Sequence, residues 1–199
     1  MSRAKRMYRL ICSIIWPFFT LVHPRRVIGR ENVPTEGGAM ICANHTRNSD
    51  PFFVAFGIGL GTYLRIMGKE ELQRVPVIGA ILSSIGLIFV KRGKADISAV
   101  KAALKSMKDG EKLLLFPEGT RHEEVSEGKT GAAMMAIRAG VPIVPIFVPA
   151  KKRWFRTTPV VIGEAYMPFT EERKPTVEDY RAVTDDLMAR IAALEERIS

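Results

Sequence analysis

In the stretch Asn44-His45-Thr46-Arg47-Asn48-Ser49-Asp50 an imidazole stands five residues before a carboxylate, and Phe116-Pro117-Glu118-Gly119-Thr120-Arg121 closes a later apolar run with a glycine and a guanidinium. The first pair suits general-base chemistry: a carboxylate that accepts the proton of one ring nitrogen leaves the other nitrogen free to take a proton from a substrate. On a regular helix, residues five apart diverge by about 140°, so His45 and Asp50 need a loop to meet. Pro51 suits a first helical turn and disfavours a helical conformation at the residue before it. Asp50 is therefore predicted to cap a helix opening at Pro51, with His45 folded back on the preceding turn. In the second stretch Gly119 allows close backbone approach and Arg121 presents a planar fork to a phosphate. Arg92 and Lys91 add charge, and His122 is an alternative base without a spaced carboxylate and proline. Taken singly, the first stretch also fits a capped helix with a loop histidine, and the second a turn with a surface arginine.

Both stretches follow apolar runs of strand type. Strands are predicted over Ala39 to Ala43, Tyr63 to Met67, Leu87 to Val90, Lys112 to Phe116 and Ile143 to Phe147, and helices over Pro51 to Ile58, Ala95 to Lys108 and Thr130 to Ala139. This alternation implies an α/β domain with a largely parallel sheet flanked by helices. Parallel strands would put the loops after Ala43, Val90 and Phe116 on one rim, gathering His45, Arg92 and Glu118-Gly119-Thr120-Arg121 into one site. Residues 176–198 form an amphipathic helix, with Thr176 and Asp179 as its cap and Tyr180, Val183, Leu187, Ile191, Leu194 and Ile198 at three- and four-residue steps. Its apolar stripe serves either packing onto the domain or a dimer seam.

Asn44-His45 with Asp50, Gly86-Leu87-Ile88-Phe89-Val90-Lys91-Arg92, Phe116 to Arg121 and Val141-Pro142-Ile143-Val144-Pro145-Ile146 follow one another in the order of the four sequence blocks of the glycerophospholipid acyltransferases. From about Arg26 to Gly163 the chain resembles that family, in its bacterial 1-acyl-sn-glycerol-3-phosphate form. Two positions depart from the usual pattern: Lys91 stands where an acidic residue often precedes the arginine, and Gly128 where an aromatic is frequent. The resemblance implies transfer of a fatty acyl group from acyl-CoA or acyl-acyl carrier protein to the sn-2 hydroxyl of 1-acyl-sn-glycerol 3-phosphate, giving phosphatidic acid in phospholipid biosynthesis. It implies His45 and Asp50 as the catalytic pair, and Arg92, Glu118, Gly119, Thr120 and Arg121 as the acceptor-binding set. Asn44, Lys91, Lys129 and Pro142 would support them. Neither a metal nor a cofactor is expected. Another lysophospholipid or glycerol 3-phosphate as acceptor, or membrane lipid binding without turnover, are the alternatives.

A chain of 199 residues with 47% hydrophobic content suits one catalytic domain and argues against disorder. Its net charge of +9 is uneven: Arg3, Lys5, Arg6, Arg9, Arg25, Arg26 and Arg30 all precede the first acidic residue, Glu31. Between these clusters, Leu10 to Val22 is apolar but shorter than the roughly 20 residues needed to span a bilayer as a helix. Residues 1–25 are therefore expected to attach the domain, residues 26–199, to an anionic membrane surface, peripherally or as a monotopic element at the cytoplasmic face. Nucleic acid is not an expected partner, because the aromatics form an apolar block rather than alternating with the basic residues. Cys12 and Cys42 suggest neither a disulfide framework nor a zinc site. Gly128-Lys129-Thr130 lacks the preceding glycine of a P-loop, since position 123 is Glu, and no Gly-x-Ser-x-Gly elbow occurs.

Overall fold

The structure, a computed structural model, describes residues 1–91, 96–119 and 128–198. Seven strands form one sheet in the order β1-β7-β6-β2-β5-β3-β4. They are β1 (Arg25–Ile28), β2 (Ala39–Ala43), β3 (Leu64–Lys69), β4 (Ile88–Val90), β5 (Lys112–Leu115), β6 (Ile143–Phe147) and β7 (Thr158–Ile162). Every strand pairing is parallel except β6 with β7, which is antiparallel. The helices are α1 (Arg3–Val22), α2 (Asp50–Ile58), α3 (Ile78–Ser84), α4 (Ile97–Lys108), α5 (Gly131–Ala139) and α6 (Val177–Ala193).

Strands β2 and β6 lie at the centre with every residue buried, which is why both read as unbroken apolar runs rather than as alternating ones. Alternation survives only in which face each residue serves. Met40, Cys42, Leu113 and Val161 pack under α4, α5 and α6, whereas Ile41, Ala43, Leu114, Val160 and Ile162 pack under α1 and α2. The chain leaving β2 enters α2 on the second face, and the chain leaving the adjacent β5 leads to α5 on the first. Neighbouring strands whose connections part in this way leave a crevice at their C-terminal ends, the usual place for a site in an open α/β sheet.

The five strands expected from the pattern all form, and they are mutually parallel. Strands β1 and β7 escaped the reading. The first is short and flanked by arginines, and the pattern at Thr158 to Ile162 is interrupted by Pro159. The boundary expected between residues 25 and 26 falls inside β1. Helix α4 starts at Ile97 because the Asp96 side chain accepts from the Ala99 N–H at 3.1 Å. Thr176 and Asp179 form the expected capping box on α6. Its stripe packs onto the sheet through Leu187, Ile191 and Leu194, with Met188 beside them, so these side chains serve the chain's own core.

The N-terminal segment is a continuous helix despite Pro17. It docks through Tyr8, which is 2% exposed and meets the Tyr63 ring edge-on at 5.2 Å, and through Cys12 and Phe19. Its opposite face leaves Leu10, Ile14, Phe18 and Leu21 more than half exposed. Since Tyr8 is the buried anchor of α1, Tyr8→Ala is expected to cost about 3 kcal/mol, the low end for truncating a buried aromatic. A lowered urea midpoint together with faster proteolysis within residues 1–22 would verify the docking, and an unchanged midpoint would refute it.

Candidate active site

The loop after β2 turns tightly because one carboxylate gathers its donors. Asp50 is completely buried, and its Oδ2 accepts from the Thr46 N–H at 2.6 Å and the Arg47 N–H at 2.7 Å. The same oxygen stands 3.1 Å from His45 Nδ1. Asp50 was expected to cap the helix ahead of it. Instead it is the first residue of α2; its carboxylate meets His45 as expected, at a point of the loop where three N–H groups converge. Pro51 makes this arrangement inexpensive, because the donor it lacks has no partner in a first turn.

The other carboxylate oxygen is taken by a residue that the pattern of the sequence did not single out. Lys152 Nζ lies 2.8 Å from Asp50 Oδ1, and the lysine side chain is only 4% exposed. The ammonium also donates to Thr46 Oγ1 at 2.9 Å and to the Pro149 carbonyl at 2.6 Å. Burial alone would raise the Asp50 pKa. The hydrogen bonds from His45 and the Arg47 N–H, with the Lys152 cation, outweigh it and hold the carboxyl below its ordinary range. Burial lowers the Lys152 pKa, against the opposing pull of Asp50. The only sequence signal for this lysine is a cation a few residues past a buried strand in a cluster of basic residues. Its partner lies 102 positions away.

His45 is held from two sides. Its ring stacks on Phe116 with centroids 4.1 Å apart and planes 22° apart, so the loop after β5 fixes the imidazole that the loop after β2 supplies. With Nδ1 directed at Asp50, Nε2 is the nitrogen left for proton transfer. Asn44, beside it, does not face the reacting centre. It is buried and clamps Val148 from both sides, donating to the Val148 carbonyl and accepting from the Val148 N–H, each at 2.9 Å. That clamp prolongs the β2–β6 pairing beyond Ala43 and fixes the start of the segment that delivers Lys152.

Of the residues assigned to acceptor binding, Glu118 and Gly119 lie on the same rim, immediately past Phe116. Glu118 is buried and Gly119 has φ +71°, a conformation that favours glycine. A side chain at Gly119 would also crowd the Lys129 ammonium at 3.1 Å, since Lys129 folds across this turn with its N–H on the Pro117 carbonyl. Lys129 is thus brought to the loop. Lys91 is exposed at the end of β4, two strands from β5, or about 10 Å across the sheet. Its ammonium faces Glu70 at 3.8 Å. Pro142 sits at the N-terminal end of β6, where its carbonyl accepts from Met40, so it lies at the opposite end of the sheet from His45. Arg92, Thr120, Arg121 and the alternative base His122 lie outside the described residues. Among the described residues no His, Cys, Asp and Glu cluster could hold a metal. A separate cleft of about 450 Å³ lined by Trp16, Thr20, Arg25, Val27, Arg30 and Glu31 contains none of the site residues.

Two substitutions probe this arrangement. The folded pKa of Asp50 lies below its unfolded value of about 3.9. Its stabilising contribution is therefore complete above that value and is lost as pH falls through the folded pKa. Asp50→Asn is expected to be less stable than the parent at about pH 6 and to lose stability less steeply below about pH 4, as read by urea unfolding across that range. Lys152→Met leaves a buried carboxylate without its cation and is expected to cost on the order of 3 kcal/mol in the same measurement. A loss typical of a surface ion pair, below about 1 kcal/mol, would contradict the burial of the pair.

The chain matches the family model described as Acyltransferase over residues 24–149. It is 29% identical over 198 residues to a 1-acyl-sn-glycerol-3-phosphate acyltransferase of Bacillus subtilis, covering 96% of this chain and 98% of that protein. To the 1-acyl-sn-glycerol-3-phosphate acyltransferase of Pseudomonas aeruginosa it is 30% identical over 189 residues, covering 87% of this chain and 72% of the other. The fold is similar to that of the crystal structure of the 1-acyl-sn-glycerophosphate (LPA) acyltransferase from Thermotoga maritima. That comparison has a TM-score of 0.70 at 21% identity and covers 98% of this chain and 80% of the other. Matched over more than half its length, the chain belongs to the acyltransferase family and is an acyltransferase.

Proposed function

We propose that the protein transfers a fatty acyl group from a thioester, acyl-CoA or acyl-acyl carrier protein, to the sn-2 hydroxyl of 1-acyl-sn-glycerol 3-phosphate, forming phosphatidic acid. The observation that carries this reading is the His45–Asp50 pair, held at 3.1 Å on the crevice rim with Nε2 left for proton transfer. Relatives named for this acceptor support it over most of the chain. In the reaction His45 Nε2 removes the hydroxyl proton as the oxygen attacks the thioester carbonyl carbon. The tetrahedral intermediate collapses with loss of the thiolate, which takes up the proton that the imidazolium returns. Asp50 keeps the proton of the resting imidazole on Nδ1 and stabilises the imidazolium once it forms, as the carboxylate of a hydrolase triad does. Lys152 holds the Asp50 carboxylate in place. Arg121 binds the acceptor phosphate with support from Arg92, and Lys129 adds charge beside Gly119. No covalent enzyme intermediate and no metal or cofactor is needed.

The acceptor and product are membrane lipids, and α1 attaches the protein peripherally to the cytoplasmic face of an anionic membrane. Its exposed Leu10, Ile14, Phe18 and Leu21, among basic residues, support this reading. No described helix is long and apolar enough to cross a membrane.

His45→Ala is expected to lower kcat by about 10² to 10⁴ with an unchanged circular dichroism spectrum, the usual contribution of a positioned general base. The assay offers the parent protein a panel of lysophospholipids and glycerol 3-phosphate with both donor types, and the acylated position is read by mass spectrometry. Preference for another acceptor would replace the substrate. Near-normal turnover by folded His45→Ala would move the base elsewhere, and absence of turnover with every pair would leave a lipid-binding protein.

A further inference from the structure

The segment Lys151-Lys152-Arg153-Trp154-Phe155-Arg156 leaves β6 on the rim that carries His45, and it divides into two parts of opposite character. Lys152 is buried against Asp50, whereas Trp154 is 70% exposed and Phe155 65% exposed. Trp154 lies two positions past Lys152, so at most about 7 Å of chain joins the partner of Asp50 to the aromatic tip. Phe155 adopts φ +57°, a left-handed conformation that a bulky side chain rarely takes. Its N–H donates to the carbonyl of Val22, the last residue of α1, at 2.7 Å, and the Trp154 ring meets His23 edge-on at 6.4 Å. The tip is thus fixed to the end of the helix whose outer face bears Leu10, Ile14, Phe18 and Leu21.

Adjacent exposed aromatics cost solvation unless a partner covers them, and a non-glycine residue held in a left-handed conformation marks a position that the surrounding structure enforces. The chemistry of the flanks identifies the partner. Lys151, Arg153 and Arg156 are all exposed, and residues 149–163 contain no acidic side chain. Tryptophan and phenylalanine beside arginines match the bilayer interface, where rings settle at headgroup depth and guanidinium groups meet phosphates. We propose that Trp154 and Phe155 form a second contact with an anionic phospholipid bilayer, beside the end of α1, and that this contact seats the His45–Asp50 rim at headgroup level. The proposal rests on the reading of the acceptor as a membrane lipid. It adds a contact that is independent of the outer face of α1.

The chain has two tryptophans, Trp16 and Trp154, so full-length Trp16→Phe protein reports on Trp154 alone. Vesicles of mixed phosphatidylglycerol and phosphatidylcholine are expected to shift its emission to shorter wavelength, and brominated lipids to quench it. The double variant Trp154→Ser, Phe155→Ser is expected to bind these vesicles at least about tenfold more weakly. It should lose activity on vesicle-embedded acceptor while keeping its kcat on a dispersed short-chain acceptor. Vesicle binding with no change in Trp154 emission would overturn the second contact and leave attachment by α1 standing. Failure of the parent protein to bind vesicles would overturn membrane attachment as a whole. Equal loss on both acceptors would make the segment a support for catalysis rather than a seat. An emission shift that follows protein concentration without lipid would identify a second copy of the chain as the partner. The emission measurement needs no change at Trp154 or Phe155, so it decides the question even if the double variant fails to fold.

Discussion

A carboxylate with no exposed surface is tolerated only when its oxygens are fully met, and at Asp50 they are met by His45, two backbone N–H groups and the Lys152 ammonium. Most features of the rim follow from this one requirement. The loop after β2 must curl so that the N–H groups of Thr46 and Arg47 point inward, and that curl folds His45 back over the start of α2. The segment after β6 must approach closely enough to deliver an ammonium, and Asn44 secures that approach by binding both polar groups of Val148. The interactions that satisfy the buried charge are also those that orient the imidazole. Its stability and its preorganisation for proton transfer therefore have a common origin.

The sheet makes this convergence possible. Loops from β2, β5 and β6 open on one rim because those strands are parallel and adjacent, so each loop supplies a part that the others lack. The first gives the imidazole and its carboxylate, the second the Phe116 ring that stacks on the imidazole, and the third the counter-charge. The antiparallel turn to β7 gives the third loop a further role. The chain reverses direction after Phe147 and must cross the end of α1 before entering β7, which brings its exposed aromatics beside that helix.

Charge is divided by burial in a way that composition does not reveal. The surplus of basic residues includes exposed side chains at Arg3, Arg6 and Arg9 on α1 and at Lys151, Arg153 and Arg156. Others lie inside. Lys112 is 5% exposed with its ammonium on the carbonyls of Glu36 and Gly37, and Lys152 is spent on Asp50. Only the exposed set can contribute to long-range attraction, because the buried cations are already neutralised or hydrogen-bonded.

The sequence by itself determined the five central strands, the capping of α6, and the meeting of His45 with Asp50 across the turn that precedes Pro51. Each of these is set by apolar runs, propensities or steric rules acting over a few residues, and such rules are visible locally. It did not reveal β1 and β7, where short, interrupted patterns become strands by pairing with each other across more than 100 positions, and β7 also by pairing with β6. Nor could local pattern supply the remaining partner of Asp50, since three of its donors lie nearby but the fourth, Lys152, arrives from the far side of β6. Of the positions assigned to the site, Glu118 and Gly119 lie on the rim where parallel strands were expected to gather them, whereas tertiary structure alone placed Lys129 on that rim, Asn44 beneath it, Lys91 two strands from β5 and Pro142 at the far end of the sheet. The physical reason is the same throughout. Spacing along a chain fixes which side chains can share a turn, whereas the order and direction of strands in a sheet fix which turns share a rim.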